Sequence, residues 1–170
     1  AIADVTMISP REVYLLGMGG SSLCAEVLRD TPSVRTAPLA LTVLDTTDER
    51  AVRHATGTLA AERALFLVAS KSGGTVEVAS LERFFWAQVT AAEGSAAGRH
   101  FVAITDPGTA LQALAESKRY RDVFVNPADI GGRFSALSFF GLVPAALMGV
   151  DLEAFLAAAQ EMAGQCRFDD

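Results

Sequence analysis

Ala64-Leu65-Phe66-Leu67-Val68-Ala69-Ser70-Lys71-Ser72-Gly73-Gly74-Thr75-Val76-Glu77-Val78 is the stretch on which the fold turns. Its first six residues are apolar without alternation, as expected of a strand covered on both faces, and such strands belong to parallel sheets with crossover helices. The run stops at a cluster of hydroxyls and glycines. A helical pattern follows, in which Val78, Leu81, Phe85, Val89 and Ala92 fall on one stripe with charged Glu82 and Arg83 beside it.

The same alternation extends in both directions. Short β-rich runs at 13–16, 39–44, Phe101–Thr105 and Asp122–Val125 predict four more strands. Thr46 with Glu49 reads as a capping box, and Asp106 before Pro107 reads as an N-cap and first helical turn. Strand and helix therefore alternate, and the expected architecture is an α/β three-layer sandwich around a five-stranded parallel sheet. After the fifth strand a loop at 126–135 leads into two helices, at 137–148 and 151–165, and 91–98 reads as a small-residue surface turn.

With 170 residues, 51% of them apolar, residues 1–170 are read as a single domain. A net charge of −6 with scattered basic residues argues against a nucleic-acid partner. The longest apolar stretch, 136–150, is interrupted by Ser138 and Pro144 and is shorter than the roughly 18–20 residues of a membrane span. No signal-peptide pattern precedes the first apolar run, and Cys24 and Cys166 are far apart without Cys-x-x-Cys spacing, so a reduced, cytoplasmic setting is expected, with neither metal nor cofactor. Ala1 in place of an initiator Met, and Asp169-Asp170 directly after a helical pattern, suggest part of a longer chain.

In an open parallel sheet, ligands bind beyond the carboxyl ends of the strands, and three loops there carry unusual chemistry. In Gly17-Met18-Gly19-Gly20-Ser21-Ser22, glycines admit a ligand close to the backbone. A dinucleotide reading is open at this loop, with Asp45 as the ribose-binding acid, although Ser22 stands where Gly-x-Gly-x-x-Gly needs its last glycine. Ser70-Lys71-Ser72-Gly73-Gly74-Thr75 gathers hydroxyls, amides and a helix N-terminus, which suit a dianionic phosphate without net positive charge. The Lys71 side chain is free to project into solvent, its amide being the better ligand. In Gly131-Gly132-Arg133-Phe134-Ser135 the paired glycines suggest a bend that aims Arg133 inward, where its guanidinium can stabilise developing negative charge. The competing reading is a surface arginine that caps a helix or pairs with a carboxylate.

Taken in order, Gly-Met-Gly-Gly-Ser-Ser, Ser-Lys-Ser-Gly-Gly-Thr-Val-Glu and Gly-Gly-Arg-Phe-Ser resemble the phosphoglucose isomerase family over nearly the whole chain. The first two motifs are shared by sugar isomerase (SIS) domains generally, and the third narrows the match. The resemblance implies a flavodoxin-like SIS topology. It implies that Ser70, Ser72, Thr75 and the Lys71 amide hold a sugar phosphate, that Gly19, Gly20, Ser21 and Gly132 line the sugar side, and that Arg133 stands by an enediolate. Glu77 matches the family's Thr-x-Glu pattern and ranks as secondary, since at the third position of its helix it equally suits the helix dipole. Val78 departs from the family by lacking a hydroxyl. The segment 132–149, with Leu142-Val143-Pro144-Ala145-Ala146, also looks like isomerases fused behind a transaldolase.

What the resemblance implies about activity is interconversion of glucose 6-phosphate and fructose 6-phosphate through a cis-enediol. The family draws its base Glu, ring-opening His and a Lys from regions after this half, so the chain alone is expected to be inactive. Its implied partners are the remaining C-terminal half and a second subunit. A phosphosugar-sensing SIS module is the alternative, and it has no need of Arg133. His54 and His100 are both expected at the surface.

Overall fold

The computed structural model describes residues 10–31, 39–57 and 59–167. Strands β1 (Glu12–Gly17), β2 (Ala40–Leu44), β3 (Ala64–Ala69), β4 (Phe101–Thr105) and β5 (Asp122–Val125) pair in parallel in the order β2-β1-β3-β4-β5. The central strand β3 is buried along its whole length. Alternate residues feed two cores, as the period of two requires. Tyr14, Leu16, Phe66, Val68, Phe101 and Ala103 face α3 (Val76–Glu93) and α4 (Ala110–Ser117), whereas Val13, Leu15, Leu65, Leu67, Val102 and Ile104 face α1 (Leu23–Arg29) and α5 (Phe139–Leu147). The expected three layers and five parallel strands are therefore present. Helices α2 (Glu49–Gly57) and α6 (Leu152–Gln165) complete the described chain.

Registered positions on β1, β3 and β4 carry Tyr14, Phe66 and Phe101, whose rings stack at 5.2 and 4.9 Å between centroids. At the edge of that aromatic row Glu82, buried on α3, accepts hydrogen bonds through Oε1 from Lys118 Nζ at 2.7 Å and Tyr120 Oη at 2.6 Å. Burial, and then the Glu82 carboxylate, push the Tyr120 hydroxyl far above the usual tyrosine range, so it stays a donor. The ammonium of Lys118 also lies 4.3 Å from the Trp86 ring centroid.

Local expectations fail where a stronger partner intervenes. Thr46 is not the N-cap of α2: Asp48 Oδ1 accepts the amides of Arg50 and Ala51 at 3.0 and 3.2 Å, and Thr46 Oγ1 accepts the amide of Asp48 instead. Asp106 does not start α4 either, because Gly108 turns left-handed at φ 73° and Thr109 Oγ1 takes the amide of Gln112. The stretch 91–98 is no surface turn. α3 runs to Glu93, Gly94–His100 forms a 3-10 helix, and Ala97 and Gly98 are buried, with no room for a Cβ at Gly98 because it would collide with Arg119 O. His100 is 3% exposed, with Nδ1 2.9 Å from Ala64 O, so it is a core residue, while His54 is exposed.

The helix expected at 137–148 is split by Ser138, whose Oγ accepts the amide of Phe140, into a 3-10 helix Gly132–Leu137 and α5. Asp151 caps α6 by accepting the amide of Ala154. Among the described residues no helix is long and apolar enough to cross a membrane.

Candidate functional site

The order β2-β1-β3-β4-β5 reverses direction between β1 and β3, and the helices that follow those two strands leave on opposite faces of the sheet. In open α/β sheets such a switch point, beyond the carboxyl ends of the two strands, is where ligands bind. The Gly17–Ser22 loop and the Ser70–Thr75 loop therefore flank it.

In the β3 loop Gly73 adopts φ 65°, a left-handed turn that glycine tolerates, and a Cβ there would also meet Thr109. Ser70 is buried and its Oγ lies 3.0 Å from Thr75 Oγ1. Thr75 is the N-cap of α3, yet its side chain makes no cap hydrogen bond, in contrast to Asp48, Thr109, Ser138 and Asp151 on other helices. Among the described residues the amides of Lys71, Ser72, Thr75, Val76 and Glu77 have no internal acceptor, whereas those of Ser70, Gly73 and Gly74 are taken by Ile104 O, Ser70 O and Ser72 Oγ. An uncapped helix end with five free donors and two facing hydroxyls is an anion-binding arrangement, to which the helix dipole adds. Glu77 is exposed at the second, not the third, position of α3, and Val78 is buried in the core.

The β1 loop becomes a 3-10 turn at Gly19–Ser21, with Gly19 at φ 54°. Ser22 turns inward, its Oγ donating to Gly19 O at 3.2 Å, while Ser21 is half-buried. Gly20 packs directly on the third loop: a Cβ at Gly20 would collide with Gly132 O, and Ser135 Oγ sits 2.6 Å from Gly20 O and 2.7 Å from Gly132 O. Two motifs far apart in sequence thus form one surface. Asp45 is exposed at the end of β2.

The glycine pair at 131 and 132 is not demanded by a left-handed turn or by a close backbone approach. Gly131 has φ −65°, and a Cβ at Gly132 would meet nothing within 4 Å, so neither supplies a left-handed turn; Gly20 is the glycine that the contact demands. Gly20→Ala is accordingly expected to destabilise the chain by about 2 kcal/mol through overpacking, while Gly132→Ala stays within about 0.5 kcal/mol. Thermal unfolding of the two variants side by side checks this, and equal losses would contradict the assignment.

Arg133 is exposed on the short helix that follows, and among the described residues no hydrogen bond or ion pair holds its guanidinium. It neither caps a helix nor pairs with a carboxylate there, which leaves it available to a ligand. The Lys71 side chain, in contrast, does not project freely into solvent: its ammonium pairs with Asp106 Oδ2 and donates to Ala128 O at 3.2 Å. Asp106 and the 126–130 segment are the parts that sequence reasoning missed. Asp-Pro at a strand end was the available signal, and it matched a helix start equally well.

A family model described as Phosphoglucose isomerase matches residues 4–167. The glucose-6-phosphate isomerase of Campylobacter jejuni is 33% identical over 151 residues, covering 88% of this chain and 37% of that protein. The enzyme of the same name from Rippkaea orientalis is 35% identical over 164 residues, covering 94% and 30%. The chain thus spans about a third of the length of the curated relatives it matches. Among solved structures, a hypothetical protein from Thermus thermophilus superposes with a TM-score of 0.85 at 31% identity, over 94% of this chain and 39% of that one. A glucose-6-phosphate isomerase from Chlamydia trachomatis gives 0.71 at 27% identity, over 82% and 27%.

Proposed function

This chain belongs to the phosphoglucose isomerase family, and we propose that it is the sugar-phosphate-binding part of a glucose-6-phosphate isomerase that interconverts glucose 6-phosphate and fructose 6-phosphate through a cis-enediol. The observation that carries the reading is the uncapped N-terminus of α3, where Thr75 turns its hydroxyl toward Ser70 rather than onto its own helix. Hydroxyls of Ser70, Ser72 and Thr75 with the Lys71 amide hold the phosphate, and Gly19, Gly20, Ser21 and Gly132 border the sugar. Arg133 stabilises the negative charge of the enediolate, a group that exists only part-way through the reaction, so its interaction favours the transition state over the bound substrate. Glu77 remains a secondary contact.

Proton transfer between C1 and C2 needs a base within hydrogen-bond reach of the substrate carbon. His54 is exposed on α2 and His100 is buried against Ala64 O, so neither is assigned to catalysis, and this reading takes the base and the ring-opening group from the C-terminal remainder of the parent. Robust isomerase activity from this chain alone counts against that division of labour. The working protein is a cytoplasmic homo-oligomer in this reading.

Calorimetric titration of the chain and of the full-length parent with fructose 6-phosphate, 5-phosphoarabinonate as an enediolate mimic, and NAD tests the site. Both phosphorylated ligands are expected to bind and NAD is not. Ser70→Ala with Thr75→Val should weaken the sugar phosphate at least about tenfold, since hydrogen bonds to a charged group contribute about 1.5–3 kcal/mol each. Unchanged affinity in that variant, or binding of NAD alone, overturns the reading.

A further inference from the structure

We propose that the Lys71 side chain is a positioning strut that fixes the Arg133 loop relative to the phosphate loop; the inference rests on the phosphate reading above. Lys71 is the second residue of the Ser70–Thr75 loop, and its backbone amide has no acceptor among the described residues. Its ammonium, however, crosses to the ends of two other strands. It pairs with Asp106, directly after β4, and donates to Ala128 O, in the segment that leads from β5 to Arg133. The backbone closes the same clamp from the other side, with the Asp106 amide donating to Lys71 O at 3.2 Å.

The local field keeps the ammonium there. Asp106 has only 15% of its side chain exposed, and Oδ1 is buried with no partner among the described residues. Asn126, which follows the registered pair Thr105 and Val125, has a second such oxygen in Oδ1. The Lys71 ammonium is the cation set against the buried Asp106 carboxylate at the ends of these strands. A lysine side chain already engaged by Asp106 and Ala128 O is turned to those partners, which agrees with a site made from amides and hydroxyls. From Ala128 the chain reaches Gly132, whose carbonyl is seated on Gly20 and Ser135. The strut therefore ties the loop that holds the phosphate to the loop that presents the guanidinium, and a displacement of about 1 Å between such groups is enough to cost roughly 10²-fold in rate.

Two measurements test this. In the full-length parent, Lys71→Met keeps the backbone amide but removes the strut, and kcat is expected to fall between about 10- and 100-fold with KM changed by less than about threefold. Lys71→Met with Asp106→Leu removes the uncompensated charge as well. That double variant should regain thermal stability without regaining kcat, whereas a merely structural ion pair would return both. Wild-type kcat in either variant overturns the proposal.

The second measurement needs no variant. Inorganic phosphate, which lacks the sugar that the reading above sets beside Gly132, is added to the unmodified chain while amide hydrogen exchange is followed. Slowed exchange at Asp129–Arg133 together with Lys71–Glu77 supports the strut. Protection confined to Lys71–Glu77 overturns it and leaves the phosphate site intact, while protection at neither loop overturns the phosphate reading and the strut with it.

Discussion

Arg133→Ala in the full-length parent is expected to lower kcat by about 10²–10³ while the affinity for fructose 6-phosphate changes less than about fivefold, the signature of a group that acts on charge developed only in the transition state. Arg133 is exposed and unpaired among the described residues, so its removal leaves no buried partner behind and the fold is expected to survive unaltered. The affinity for 5-phosphoarabinonate should fall with kcat, because that ligand carries the charge that the substrate acquires. Arg133→Lys should recover only part of the loss, as an ammonium cannot reproduce the planar fork of donors. Steady-state kinetics with inhibition by the mimic decide the matter. If turnover survives Arg133→Ala, or if mimic and substrate weaken equally, the arginine is a binding residue at most, whereas a parent without turnover that binds fructose 6-phosphate equally with and without the guanidinium is a non-catalytic phosphosugar module.

The largest effect on stability is expected at Glu82. Glu82→Leu should destabilise the chain by about 3 kcal/mol, since breaking a buried, hydrogen-bonded pair typically costs about 3–5 kcal/mol. In a domain of this size that corresponds to a drop in Tm of roughly 10 °C. Tyr120 would lose its acceptor while still buried, and Lys118 would lose the carboxylate that its ammonium meets at 2.7 Å. Lys118 is partly open to solvent and can rehydrate, so the stranded Tyr120 hydroxyl is expected to carry much of the penalty. Glu82→Leu with Tyr120→Phe should therefore recover more than half of the loss. Thermal unfolding of the single and double variants checks this, and a fully additive pair would show that the two side chains are energetically independent.

Legibility in the sequence followed the range of the interaction. The unbroken apolar run Ala64–Ala69 announced a strand covered on both faces, and it is the central strand of the sheet. The stripe Val78, Leu81, Phe85, Val89 and Ala92 announces the buried face of α3, and the first four are buried whereas Ala92, in its last turn, is exposed. Capping is less legible. At Thr46 and at Asp106 two polar residues compete for the same amides within one turn of chain, and local spacing does not rank them. Asp106 was withdrawn from the contest by Lys71, 35 residues earlier, and His100 was drawn into the core by Ala64 O, 36 residues earlier.

The site divides along the same line. Sequence alone determined that Ser70–Thr75 ends a strand and opens a helix with hydroxyls and glycines, because strand, turn and helix each leave their mark within a few residues. Only the tertiary structure decided that Thr75 leaves α3 uncapped, that Gly20 rather than the pair at 131 and 132 is the glycine required by contact, and that the Lys71 ammonium is held by Asp106. The physical reason is that a hydrogen bond or an ion pair goes to whichever acceptor folding brings nearest. In a parallel sheet the carboxyl ends of adjacent strands meet in space while their residues stand tens of positions apart along the chain.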